Sequence, residues 1–165
     1  MIKQRKLLYY EANRCMGCHA CEVACKAEHD LPVGVNRVRI VADSPTSNRN
    51  QLKRGFQRIA CRHCPEPPCI EVCPTSAINK REDGIVFIDQ AQCNGCQLCA
   101  SACPYNAIEF HPDNKWAEIC DLCLDRLDQG LSPFCLQHCM GGSLFFGTED
   151  EFRKKYEGEE GNGSK

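Results

Sequence analysis

Sixteen of the 165 residues are cysteine, and they fall into four groups of four. The groups are CMGCHACEVAC (Cys15, Cys18, Cys21, Cys25), CRHCPEPPCIEVCP (Cys61, Cys64, Cys69, Cys73), CNGCQLCASACP (Cys93, Cys96, Cys99, Cys103) and CDLCLDRLDQGLSPFCLQHC (Cys120, Cys123, Cys135, Cys139). Each opens on C-x2-C and closes on C-x3-C, and only the middle gap varies: two residues in the first and third groups, four in the second, eleven in the fourth. The text after the groups repeats as well. CPTSAINK, CPYNAIEF and CMGGSLFFG all run from cysteine through small or polar residues into an apolar, strand-like stretch. Such repetition argues for duplicated supersecondary units. Cysteine at this density has three chemical uses: disulfides, zinc sites or iron–sulfur clusters.

Disulfides fit poorly, because cysteines two and three residues apart would have to pair across strained local loops. Zinc takes four ligands in two pairs, so the fourth group alone reads as well as a zinc ribbon as anything else. The first and third groups decide against it, since a third cysteine inserted at x2 has no role in a zinc knuckle. C-x2-C-x2-C-x3-C-P is the run that ligates cubane clusters in bacterial ferredoxins. Three thiolates on a tight loop converge on three corners of one cube. The fourth lies further on, expected at the start of a short helical turn that faces away, and reaches the neighbouring cluster. Groups must then come in pairs, and at four thiolates per cube the chain holds four [4Fe–4S] clusters.

The elements that would position these loops are short. Proline after Cys73 and Cys103 lacks an N–H and ends the turn there. Between the second and third groups, Arg81-Glu82-Asp83-Gly84 is a turn signal and Ile85-Val86-Phe87-Ile88 a buried strand, as inside one two-cluster module. Which groups pair is left open by spacing alone. From Arg37 to Arg62 there are seven basic residues (Arg37, Arg39, Arg49, Lys53, Arg54, Arg58, Arg62) against Asp43. They read either as a solvated loop around SPTSNRNQLKRG or as a docking surface for an acidic partner. Thr148-Glu149-Asp150-Glu151 is a capping box that opens a short helix running to Tyr156. The last eight residues, 158–165, have no apolar content and read as a disordered tail.

Composition narrows the class further. Only twelve residues are aromatic, so something besides large apolar side chains must organise the interior, and the net charge of −2 argues neither for nor against a polyanionic partner. Nucleic acid is the weakest partner class. No run of about 18 apolar residues spans a membrane, and MIKQRKLLYYEANRC is no secretory signal. A cytoplasmic location is expected, with export alongside a signal-bearing partner as the other route. Nothing resembles a catalytic nucleophile or a phosphate loop.

With those motifs in place, the chain resembles the four-cluster iron–sulfur electron-transfer subunits of molybdenum and tungsten bis-pterin oxidoreductases. That family includes subunits of dimethyl sulfoxide reductase, formate dehydrogenases and tungsten aldehyde oxidoreductases. The resemblance covers about residues 9–147. It implies an α+β fold of two pseudo-symmetric, bacterial ferredoxin-like two-cluster modules within a domain spanning 1–157. The outer module comprises 9–30 plus 115–147, the inner module 58–111, and a basic insert covers 36–58. It also implies the pairing: Cys15, Cys18 and Cys21 share a cluster with Cys139, and Cys120, Cys123 and Cys135 with Cys25. Cys61, Cys64 and Cys69 take Cys103, and Cys93, Cys96 and Cys99 take Cys73. Lys26 and Met140 stand where the inner motifs have proline, which is expected to loosen the turns after Cys25 and Cys139. Some relatives replace one cysteine by tryptophan and hold a three-iron cluster; here every ligand position is filled, so none is expected.

The functional expectation is a relay of single electrons between a larger molybdenum- or tungsten-pterin catalytic subunit and a flavin- or NAD-linked subunit or ferredoxin, in a hetero-oligomer. Compactness favours a tungsten aldehyde oxidoreductase as the enzyme, with a formate dehydrogenase next. A free-standing polyferredoxin carrier is the alternative, and a zinc-structured scaffold a distant third. His19, His63 and His138 read as neighbours of ligands rather than ligands, and Tyr105 and Trp116 as side chains packed on clusters. Anaerobic analysis should find about sixteen irons and as many sulfides per chain; half that content, or stoichiometric zinc, contradicts the count.

Overall fold

The computed structural model describes residues 5–48, 51–112 and 116–156. The expected tail at 158–165, and Arg49 of the basic segment, lie outside the described residues.

The chain opens with β1 (Leu7–Tyr10), a 3-10 turn at Ala12–Arg14 and α1 (Ala20–His29). Four strands follow: β2 (Val38–Ala42), β3 (Thr46–Asn48), β4 (Gln51–Lys53) and β5 (Phe56–Ala60). The middle carries α2 (Pro68–Glu71), β6 (Ile78–Lys80), β7 (Val86–Ile88), α3 (Leu98–Ala102), β8 (Glu109–Phe110) and β9 (Ala117–Glu118). The end consists of α4 (Leu124–Asp128), α5 (Phe134–Gln137), β10 (Leu144–Gly147) and α6 (Glu149–Tyr156). Helices and small antiparallel sheets thus make an α+β arrangement. Among the described residues the strands form five sheets of two strands each. Four are local hairpins, and the fifth joins the two ends of the chain: β1 pairs with β10, Leu7 opposite Gly147 and Tyr10 opposite Leu144.

The turn signal at 81–84 is a hairpin loop: the Gly84 N–H bonds the Arg81 carbonyl, and the strand after it begins at Val86, one residue later than the apolar run suggests. The capping box at Thr148 is reciprocal, with the Thr148 N–H on Glu151 Oε2 at 2.8 Å and the Glu151 N–H on Thr148 Oγ1 at 3.3 Å.

Three expectations are corrected. First, Lys26 does not loosen a turn. Having an N–H where proline has none, it lets α1 run ten residues, to His29, and its Nζ ties down the carbonyls of Pro32 (3.0 Å) and Val35 (2.6 Å). Second, the third cysteine of each group, not the fourth, opens the helical turn. Cys21, Cys69, Cys99 and Cys135 lie inside α1, α2, α3 and α5; outside α1, the fourth cysteine follows the helix end. A single turn therefore separates third from fourth. Third, the basic stretch is no plain solvated loop. β2 and β5 pair from Val38↔Ala60 to Ala42↔Phe56, and Val38, Ile40 and Ala60 are buried. Beyond that buried face the hairpin is exposed, at Val41, Ala42 and Gln57 and through Leu52, Lys53 and Arg54.

The core falls into two clusters, and cysteine belongs to both. Cys25 and Cys120 pack with Val38, Ala60, Ile85 and Leu122; Cys99 packs with Ile78, Val86, Ala117 and Ile119.

Candidate iron–sulfur centres

The cysteine loops share a backbone signature that their sequences only partly share. The residue before the second cysteine of each group has positive φ: Gly17 (68°), His63 (48°), Gly95 (69°) and Leu122 (60°). Glycine adopts this region freely, whereas a leucine or histidine there is strained by roughly 1–2 kcal/mol. Such strain is retained where local backbone geometry has a function. Here the αL residue turns successive N–H groups toward one side of the loop, the concave arrangement that binds anions and iron–sulfur clusters. A second αL residue recurs three positions past the fourth cysteine at Ser76, Asn106 and Gly142, each N–H returning to the carbonyl of Cys73, Cys103 or Cys139. The first group lacks it, because Lys26 has let the helix continue.

Three cavities open among the thiols. Cys61, Cys64, Cys69 and Cys103 line one of ≈ 410 Å³, Cys15, Cys18, Cys21 and Cys139 one of ≈ 340 Å³, and Cys73, Cys93, Cys96 and Cys99 one of ≈ 290 Å³, each volume including the open space at its mouth. Cys25, Cys120, Cys123 and Cys135 are all buried, and the charges that bear on Cys25 include all three of the others. The thiols surround space rather than close on a point: among the described residues, no three Cys, His, Asp or Glu side chains converge as one metal ion requires. A tetrahedral zinc, with each sulfur about 2.3 Å from the metal, would need that convergence.

Burial dominates the thiol chemistry. It pushes Cys21, Cys99 and Cys123 up to about 11, and Cys61 and Cys135 up to about 12, with neighbouring cysteines adding to the shift. Cys73 goes the other way. Burial raises it, but N–H groups of Ile78, Thr75 and Ala77 and the Thr75 hydroxyl together hold it below the ordinary thiol. Donors also reach other sulfurs: the His63 N–H to Cys61 Sγ and the Ala117 N–H to Cys93 Sγ, both at 3.4 Å. The sets adjoin one another, because Cys135 feels Cys21, Cys61 feels Cys120 and Cys99 feels Cys69. Cys18 and Cys96 are the exposed cysteines.

The residues fit cubane clusters on a further count. Among the described residues, the buried side-chain nitrogens without a hydrogen-bond partner are Arg5 Nε, Arg58 Nε and Nη2, and His63 Nε2. His63 Nδ1 accepts the Val86 N–H at 3.0 Å, so the unpartnered Nε2 carries the ring proton. All four are therefore donors, as surroundings built for an anion require.

The sequence reading placed the cysteines but missed the charges between them. Arg37 donates to Glu118 Oε2 and Asp121 Oδ2, each at 2.8 Å, and its Nη1 lies 3.1 Å from His29 Nδ1. Glu118 Oε1 also accepts from Gln90 Nε2 (2.7 Å) and Trp116 Nε1 (2.8 Å). His29 Nε2 reaches Cys123 Sγ at 3.4 Å. Arg39 pairs with Glu109 at 3.0 Å, and Arg62 lies over the Tyr105 ring at 4.5 Å. Much of the basic segment is thus spent internally, leaving Lys53, Arg54 and Arg62 as its exposed described charges. His63 is buried against Cys61, whereas His19 is half-exposed beside Glu22 and His138 is exposed on Phe134. Tyr105 borders the cavity of Cys61 and Cys103, and Trp116 is tilted against His111 with ring centroids 5.1 Å apart.

Comparison with known proteins agrees with this chemistry. Residues 53–149 match the model of the 4Fe-4S dicluster domain. The thiosulfate reductase electron transfer subunit of Salmonella typhi is 40% identical over 91% of this chain and 79% of its own length. One of the chains of the anaerobic dimethyl sulfoxide reductase of Escherichia coli is 38% identical, covering 90% of this chain and 76% of that protein. One of the subunits of the tetrathionate reductase of Salmonella typhimurium is 37% identical over 88% of this chain, which spans 58% of that relative.

Removing the cation at the centre of the Glu118 network leaves a buried carboxylate unpaired. Arg37→Met should cost about 3–5 kcal/mol, read as a lower denaturant midpoint of the brown, cluster-loaded protein, with Glu118→Gln in the same chain recovering part. A change under about 0.5 kcal/mol would show that the network is not structural.

Proposed function

This protein belongs to the 4Fe-4S dicluster domain family, and on that premise we propose that it is the electron-transfer subunit of a pterin-dependent reductase. It carries four [4Fe–4S] clusters, which when bound store and release one electron each. The observation that carries the relay reading is the adjoining order of the cysteine sets. From Cys15/Cys18/Cys21/Cys139 they pass through Cys25/Cys120/Cys123/Cys135 and Cys61/Cys64/Cys69/Cys103 to Cys73/Cys93/Cys96/Cys99, with exposed Cys18 at one end and exposed Cys96 at the other. Each of these sets ligates one cluster, so the fourth cysteine of every group crosses to a neighbour.

The protein's own residues hold and insulate the row. Buried Leu122 and His63 keep the αL turns that aim N–H groups at the sulfurs, and the Arg37 network seals the second set. Recurring αL positions in the outer and inner groups support two modules related by pseudo-symmetry, the outer assembled from both ends of the chain.

The partner is a larger molybdenum-pterin catalytic subunit, and by similarity to subunits of thiosulfate, tetrathionate and dimethyl sulfoxide reductases its substrate is an oxidised sulfur compound. Those relatives lend no support to the tungsten aldehyde oxidoreductase or formate dehydrogenase favoured on compactness. Among the described residues no helix is long and apolar enough to cross a membrane.

Affinity purification from the native host under anaerobic conditions should bring down a larger subunit with near-stoichiometric molybdenum and pterin. A lone chain with full iron content and no molybdenum or tungsten would instead identify a free-standing carrier.

A further inference from the structure

Two arginines of the β2–β5 hairpin enter the interior and meet opposite fates. Arg37, beside the start of β2, has two carboxylates and a histidine around it. Arg58, on β5, has none of these. The antiparallel register sets it opposite Ile40, between Ala60 and Phe56 in the period-2 pattern, on the face that carries buried Val38, Ile40 and Ala60. Its Nε and Nη2 are buried without a hydrogen-bond partner, and among the described residues no carboxylate forms an ion pair with it. What bears on its guanidinium is sulfur: Cys120 and Cys135 of the second set, and Cys21 of the first.

A buried guanidinium without a counter-charge is strongly unfavourable, and arginine does not escape by losing its proton. The chain can build carboxylate partners, as Arg37 demonstrates, yet the described residues supply none here. The anion that answers Arg58 must therefore lie among these thiols. On the reading that both outer sets hold clusters, it is their thiolate and sulfide.

We propose that Arg58 is the potential-setting residue of the two outer clusters, a fixed cation wedged between the Cys21 side of one and the Cys120–Cys135 side of the other. Each outer cluster becomes one unit more negative on taking up one electron, and the guanidinium charge does not change. Arg58 therefore stabilises the reduced form of both, without proton transfer. Potential responds to net charge and to hydrogen bonds on sulfur, and Arg58 provides both through its charge and its unpartnered N–H groups. It acts through the clusters and touches no substrate, so it is a positioning residue.

The test is a mediated potentiometric titration of the assembled chain with dithionite as reductant, following the paramagnetic signal of each reduced cluster. Cys18→Ser and Cys25→Ser variants identify the two outer signals, and Cys64→Ser and Cys73→Ser the two inner ones. At the wild-type midpoint, Arg58→Met should lower the reduced-to-oxidised ratio of both outer clusters about tenfold, about 59 mV for a one-electron couple, and leave the inner clusters within about twofold. Arg58→Lys, which keeps the charge, should recover more than half of the shift. Should Arg58→Met fail to assemble, Arg58→Lys against Arg58→Gln carries the comparison, with the glutamine variant showing the fall. Full iron with unmoved outer potentials, equal movement of all four clusters, or a lysine variant as shifted as the neutral ones overturns the assignment. Wild-type protein without clusters would instead overturn the reading on which it rests.

Discussion

Iron–thiolate bonding is the constraint on which the rest of this molecule depends. Two-stranded antiparallel sheets are marginal on their own in water, and here they are the only kind among the described residues. The helices are equally slight: α1 has ten residues and α2 and α5 four each, below the length at which helices persist unaided. Both core clusters count cysteines among their buried members. Elements this small become a domain when sulfur ligands from different groups are bound to common centres, because metal binding is then part of the folding free energy.

That constraint explains features with no local logic. Leu122 and His63 hold left-handed backbones that neither residue prefers, because an αL turn presents N–H groups to sulfur. Burial keeps thiols such as Cys61 and Cys135 protonated in the chain alone, and iron must displace those protons to bind. Once loaded, the interior is rich in negative charge, and the surrounding residues answer it selectively. Arg37 is neutralised by carboxylates; Arg58 is not.

Much of the site was legible in the sequence because the signals are local. The cysteine spacing, the Arg81–Gly84 turn, the capping box at Thr148 and α6 each depend on residues within a few positions of one another. What was not legible depends on partners far away in the chain. The pairing of β1 with β10 rests on one apolar run meeting another more than a hundred residues later. The basic segment read as surface because charge is mostly solvated, yet strand alternation places Arg58 with Phe56 and Ala60 on the buried face. The sequence Phe56-Gln57-Arg58-Ile59-Ala60 contains that signal, but it becomes decisive only once the partner strand shows which face is covered. Lys26 was misread for a related reason: a missing proline reads as a weakened stop, although a lysine there can extend the helix and pin the loop beyond it.

The central claim is that clusters shared between distant cysteines hold the two ends of the chain together. A protease site introduced between β3 and β4 would cut the chain between its first and second cysteine groups. With clusters intact, the nicked halves should co-migrate on size exclusion under anaerobic conditions if, as proposed, Cys25 shares a cluster with Cys120, Cys123 and Cys135, and Cys139 with Cys15, Cys18 and Cys21. Removal of iron by a chelator should then release them. Halves that separate while all the iron remains bound, or that stay together after it is gone, would contradict the account.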